Sequence, residues 1–202
     1  MIQPVAVIGA GPYGLSTAAH LRARGLPVRV FGEPMVSWRE HMPAGMVLKS
    51  TPAASNLDAP QPGHTLLDYC EAAGIPRLVT DEDLVPIETF LRYGEWFQRR
   101  LVPGLERVRV VSVERAAGGG FDLKLDSGEQ FTARAVVVAT GLTGFAHLPP
   151  VLAEAAEAAE ATEAAEAAGT PAPRPAVPRP AVPSPAVPSP AVPSPAVPAP
   201  AP

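Results

Sequence analysis

Near the N-terminus, the stretch VAVIGAGPYGLSTA (residues 5–18) leaves few folds open to this chain. Val5 to Ile8 are small and β-branched apolar residues, the composition of a buried strand. The run stops at Gly9, Gly11 and Gly14, spaced GxGxxG, and a helix-forming run, LSTAAHLRA, follows at once. Strand, glycine turn and helix in immediate succession are the context that makes this motif informative. Gly9 allows a sharp turn out of the strand, Gly11 leaves the backbone open to a close ligand, and Gly14 lets the helix pack near the strand. A helix starting there presents free N–H groups and the positive end of its dipole, which suits the pyrophosphate of a dinucleotide. The competing reading is a glycine-rich turn in some other α/β protein, and the flanking strand and helix weigh against it.

The first helix is predicted from about Pro12 to Arg24, stopped by Gly25. Pro27 restarts extended chain, and Val28–Phe31 reads as a second strand, parallel to the first through a right-handed crossover. An acid close to the end of this strand, roughly 20 residues past the glycines, suits the ribose hydroxyls of an adenosine. Glu33 stands there; a solvated turn residue is the alternative. In VSWREHMPAGMVLKS (36–50), Trp38 falls in a short helix and Pro43–Gly45 in a turn. The Trp38 ring either walls a planar ligand or belongs to the core. Residues 56–63 read as a loop, and Leu66–Ala73 and Ile87–Leu101 as helices, the second with Phe90, Tyr93 and Phe97 as a core stripe. Asp81, Glu82 and Asp83 between them read as a solvated loop rather than a paired-carboxylate acid/base site. From residue 107 the period changes to alternation. RVRVVSVE, then FDLKLDSGEQFTA with a turn at Asp126–Gly128, predict an antiparallel three-stranded meander. AVVVAT (135–140) returns as a continuous apolar strand suited to a sheet buried on both faces, ending in Ala139-Thr140-Gly141.

Composition divides the chain. Residues 1–150 have a globular make-up, enough for one domain with a core. Beyond them Glu154, Glu157, Glu160, Glu163 and Glu166 recur every third residue in alanine. Alanine and glutamate favour helix, but a period of three drifts around it and marks no constant face. Residues 151–168 are therefore read as an Ala/Glu-rich helical segment. PAVP then recurs from Pro175, so 169–202 are read as a disordered, polyproline-like tail. Its PxxP spacing permits an SH3-type contact, although composition accounts for the tail without a partner. The formal net charge of −4 sits mostly in these terminal segments, so nothing suggests a basic surface for nucleic acid. The lone cysteine, Cys70, cannot close an internal disulfide and reads as a buried thiol. His41 and His64 lack metal-ligand spacing, so no metal is expected, and His20 is placed on the exposed face of the first helix. The N-terminal apolar run is too short for a bilayer and carries no leader pattern, so no membrane association is expected, and the cytoplasm is the expected location.

Taken in order, GAGPYG, an acid after the second strand, a Trp–Pro–Gly block, a meander and a strand ending in ATG resemble the FAD-binding half of flavoproteins with two dinucleotide domains. Within that group the chain is similar to flavin-containing monooxygenases and lysine/ornithine N-hydroxylases, over about residues 4–152. The resemblance implies an α/β, Rossmann-like FAD-binding domain over 1–150, with a parallel sheet plus an antiparallel meander. It implies FAD as cofactor, NADPH as reductant through a second glycine motif, and oxygenation of an unknown small molecule by reduced flavin and O₂. By position it implies pyrophosphate contacts at Gly9, Gly11, Pro12, Tyr13 and Gly14, and a ribose contact at Glu33, displaced one residue by Gly32. Trp38, Lys49 and Ser50 would line the flavin, with Asn56 near its edge. The backbone of Val110 would meet the adenine, and Thr140 and Gly141 would form a turn close to the cofactor. No side chain need be a catalytic acid, base or nucleophile, because the flavin carries the chemistry.

The chain departs from this pattern after AHLPPVL, where the Ala/Glu and Pro-rich segments stand in place of a second GxGxxG. A truncated or frame-altered gene is the expectation. Two other readings stay open: a non-catalytic FAD-binding fragment, and an NAD-binding module of a dehydrogenase.

Overall fold

A computed structural model describes residues 2–76, 78, 80, 83–150, 152–155, 157 and 159. Backbone contacts divide the chain into two units, Met1–His147 and Leu148–Pro202.

In the first unit β1 (Val5–Ile8) leads through α1 (Pro12–Ala23) to β2 (Val28–Phe31) and the short helix α2 (Val36–Glu40). β3 (Val47–Leu48) and β4 (Val85–Pro86) pair antiparallel. α3 (Leu66–Ala72) lies between them in sequence and α4 (Ile87–Leu101) follows. β5 (Val110–Arg115), β6 (Phe121–Leu125) and β7 (Gln130–Ala133) form the antiparallel meander, and β8 (Ala135–Val138) returns to the parallel sheet. There β1 is central, with Val5 opposite Val28 of β2 and Ala135 of β8.

Period-two alternation sorts the side chains of this sheet into two cores. Ala6 and Phe31 pack with Leu123, Leu125 and Ala133 of the meander. Val7 and Val30 pack with Leu15 and Ala18 of α1 and with Tyr93 and Phe97 of α4. The result is a layer of helices, a parallel sheet and a meander. Arg29 fastens the meander side. Its Nε and Nη2 donate to Glu106 at 2.7 and 2.6 Å, its Nη1 donates to Glu129 at 2.7 Å, and its guanidinium lies 4.2 Å from the Phe131 ring centroid.

The stripe Phe90, Tyr93 and Phe97 is buried as its spacing requires. Gly94 interrupts this helix at a cost of about 1 kcal/mol relative to alanine. The reason is Met35: a Cβ on Gly94 would lie 2.6 Å from the Met35 Cγ and Sδ. Met35 is fully buried, adopts a left-handed φ of 57°, and donates its N–H to the Ala10 carbonyl at 3.1 Å. Met35 thus ties the turn after β2 to α4 through its side chain and to the glycine loop through its backbone N–H.

Tyr93 is the polar centre of the helical core. Its hydroxyl accepts from the Leu57 N–H at 3.0 Å and donates to the His64 carbonyl at 2.8 Å. Burial pushes its pKa up to about 12, against a smaller opposing effect of the Leu57 hydrogen bond. Tyr93→Phe would leave the buried Leu57 N–H unpaired, and we expect a loss of about 1–3 kcal/mol in urea unfolding at neutral pH. A raised tyrosine pKa stabilises the fold fully below the unfolded value near 10, and this contribution is lost as pH rises through about 12. Wild-type stability should therefore fall across that alkaline window, and Tyr93→Phe should flatten this part of the profile.

One expectation is corrected. β8 is not buried on both faces: Val138 is 72% exposed and the rest of the strand is half-buried. The physical reason is its place in the sheet, since among the described residues β8 pairs with β1 alone. His20 lies outside the buried residues of α1 and is half-buried, with Nε2 2.8 Å from Asp58 Oδ2. Cys70 is buried, and burial raises its thiol pKa, which makes it a poor nucleophile. Of the acidic trio, Asp81 and Glu82 lie outside the described residues, and Asp83 accepts from the Thr80 N–H at 2.7 Å.

In the second unit, residues 152–155, 157 and 159 are helical, in keeping with their alanine and glutamate content. The remainder of 151–168 and the Pro-rich stretch 169–202 lie outside the described residues. No described helix is long and apolar enough to cross a membrane, and the described residues contain no cluster that could hold a metal ion.

Candidate dinucleotide-binding site

The carboxyl ends of three parallel strands meet at one place. The glycine loop follows β1, Glu33 follows β2, and Thr140 and Gly141 follow β8. In open α/β sheets this is where ligands bind. The three glycines of the loop have different surroundings. A Cβ on Gly9, whose φ is 113°, would lie 2.1 Å from the Ala139 carbonyl oxygen, and one on Gly14 would lie 1.9 Å from the Gly9 oxygen. These two glycines are demanded by protein packing. A Cβ on Gly11 would meet nothing within 4 Å. The space beside Gly11 is open.

Gly11 is also the N-cap of α1, with no side-chain cap and no acidic residue in the first turn. The first-turn N–H groups have no intrahelical acceptor, so the sequence leaves them for an anion. Pro12 occupies the first turn, where its missing N–H costs nothing. Tyr13 is 85% exposed at the mouth of the loop. The turn after β8 closes the other side: the Ala139 N–H donates to the Ile8 carbonyl at 2.7 Å, and Thr140 and Gly141 are exposed. The open N-terminus and the Gly11 cradle fit a pyrophosphate.

Glu33 lies at the end of β2 and is half-buried. Its Oε1 accepts a hydrogen bond from Arg107 Nη1 and has Arg39 Nη1 at 3.6 Å. Arg39 is itself held by the Pro34 carbonyl at 3.2 Å and by Glu95 of α4 at 2.7 Å. Neither arginine carries a signal in the sequence that marks it as part of a site. Arg107 is 74 positions from Glu33, and no local pattern joins them.

Most of the other predicted contacts have partners of their own within the fold. Trp38 is half-buried in α2 and packs edge-on against Phe90 at 4.9 Å between centroids. Lys49 is exposed; Ser50 Oγ is 2.7 Å from Ser55 Oγ. Asn56 donates to the Ala53 carbonyl at 2.7 Å and accepts from the Leu66 N–H at 2.8 Å, which ties its loop to the start of α3. Val110 opens β5 beside a register shift in the β5–β6 pairing and packs against the meander core.

Comparison with solved structures finds the same fold. A flavin-containing monooxygenase from Stenotrophomonas maltophilia is 26% identical with a TM-score of 0.58, over 74% of this chain and 42% of that one. A bacillithiol disulfide reductase from Staphylococcus aureus is 17% identical with a TM-score of 0.54, over 70% and 39%. An S-allyl-L-cysteine S-oxygenase from Allium sativum is 19% identical with a TM-score of 0.56, over 70% and 37%. The chain thus spans about two fifths of the length of these three solved proteins. Comparison with curated proteins finds no match. The sequence model of the FAD-NAD(P)-binding family matches residues 6–143, and the chain, with its glycine loop, uncapped helix and strand-end acid all inside that span, belongs to this family.

Proposed function

We propose that the chain binds FAD at the glycine loop and forms the FAD-binding portion of an NADPH-using flavin monooxygenase. The observation that carries this reading is the convergence of an uncapped α1 N-terminus beside the open Gly11 cradle with Glu33 at the end of the next strand. Gly9, Gly11, Tyr13 and Gly14 supply the phosphate loop, with Pro12 fixing the helix start. Glu33 is assigned to the ribose hydroxyls and the Val110 backbone to the adenine. Trp38, Lys49, Ser50 and Asn56 are assigned to the flavin side, with Thr140 and Gly141 closing the turn after β8. The likeness to the S. maltophilia monooxygenase supports the activity class. When bound, the flavin supplies the redox chemistry. The protein's own residues bind and orient it.

The test is reconstitution of the purified 202-residue chain with FAD, FMN or NAD, each followed by desalting. Retention of the flavin absorbance after FAD, with little after FMN, is expected, because FMN lacks the adenosine that Glu33 would hold. Retention of NAD with no retention of FAD would replace this reading with the nicotinamide-binding module of a dehydrogenase.

A further inference from the structure

Glu33 is the centre of a cluster whose other members have no role in the site as described so far. Both Arg107 and Arg39 approach the same carboxylate oxygen, Oε1. Among the described residues no group is hydrogen-bonded to the other oxygen, Oε2. The backbone explains how Arg107 reaches this position. Glu106 forms a parallel bridge with Phe31, its N–H donates to the Val30 carbonyl at 2.8 Å, and its carbonyl accepts from Gly32 at 3.0 Å. Residue 107 is thereby held along the outer edge of β2, beside the strand end that carries Glu33. Arg39 reaches Glu33 from α2 and is anchored to α4 through Glu95.

We propose that Arg107, assisted by Arg39, is a positioning residue for the adenosine ribose. The arginines hold one oxygen of Glu33 and so turn the other toward the ribose diol. This rests on the reading of the glycine loop as an adenine-dinucleotide site. A carboxylate on a flexible side chain loses rotamer freedom when it takes up a ligand hydroxyl, and a pre-set orientation removes part of that cost. Arg107 is 64% exposed, and exposed ion pairs contribute little to folding stability. Its removal should therefore change ligand binding and leave the melting temperature almost unmoved.

The experiment measures binding of ADP and of 2′,3′-dideoxy-ADP to the full chain by calorimetry, with thermal melts alongside. The wild type should bind ADP more tightly than the dideoxy analogue. Arg107→Ala should weaken ADP binding about three- to tenfold and leave the dideoxy analogue unchanged, so that the preference shrinks. Arg107→Lys should restore most of it. In a Glu33→Gln background, Arg107→Ala should have no further effect on ADP. Equal or tighter ADP binding by Arg107→Ala would overturn the proposal, since the arginine would then be competing with the ribose. An equal loss of both ligands would also overturn it, by showing that Arg107 contacts another part of the nucleotide. Failure of the wild type to bind ADP at all would instead overturn the reading of the glycine loop.

Discussion

Gly11→Val is expected to leave the chain folded and without flavin, whereas Gly9→Ala should cost it both flavin and fold. At Gly11 an added Cβ meets nothing within 4 Å, so the fold has room for a larger side chain, which is expected to intrude on the space proposed for the pyrophosphate. The change of N-cap from glycine to a β-branched residue costs α1 about 1 kcal/mol, a shift of a few degrees in melting temperature. At Gly9 the added Cβ lies 2.1 Å from the Ala139 carbonyl oxygen, on a backbone with φ of 113°. Neither the carbonyl of a sheet-edge turn nor this φ can adjust freely, and a loss of at least about 3 kcal/mol follows from clash and strain together. The two variants separate the ligand-facing glycine from the packing glycine in one motif. Flavin absorbance after desalting, read beside a thermal melt, measures both effects. Flavin retained by Gly11→Val at the parental level would remove the phosphate loop from the site.

The second large effect concerns hydride delivery. GxGxxG occurs once in the 202 residues, and that motif is assigned to FAD. The later glycine run, residues 118–120, leads into β6 rather than a helix, so it offers no helix N-terminus to a second pyrophosphate. Hydride transfer needs the nicotinamide held against the flavin ring, and such positioning is worth about 7–11 kcal/mol of barrier in well-oriented cases. The FAD-loaded chain, taken alone, should therefore be reduced by NADPH no faster than free FAD. Anaerobic stopped-flow reduction over a range of NADPH concentrations measures this. A fast phase that saturates with NADPH would reveal a nicotinamide site within these residues.

Much of this architecture is legible in the residues themselves, because it is written over short distances. The Val5–Ile8 run, the GxGxxG turn and the helix after it define the first βα unit, and β1 and β2 have the bounds their composition predicts. The spacing of Phe90, Tyr93 and Phe97 marks the buried face of α4, and alternation marks the meander. Glu33 is found by counting from the glycines. Each of these signals is carried within a short stretch of sequence, the longest being the roughly 20 residues from the glycines to Glu33.

Other features are decided only by tertiary structure. β8 has the composition of a fully buried strand, yet Val138 is 72% exposed, because exposure depends on a strand's place in the sheet and not on its own residues. Gly94 looks like a flaw in α4 until Met35 fills the space it leaves. His20 finds Asp58, and Arg29 joins Glu106 to Glu129 across strands, through pairings that no periodicity encodes. The contact of Arg107 with Glu33 is of the same kind. It exists because the segment before β5 lies along the edge of β2, and sheet order, which is a property of the whole chain, is what brings them together.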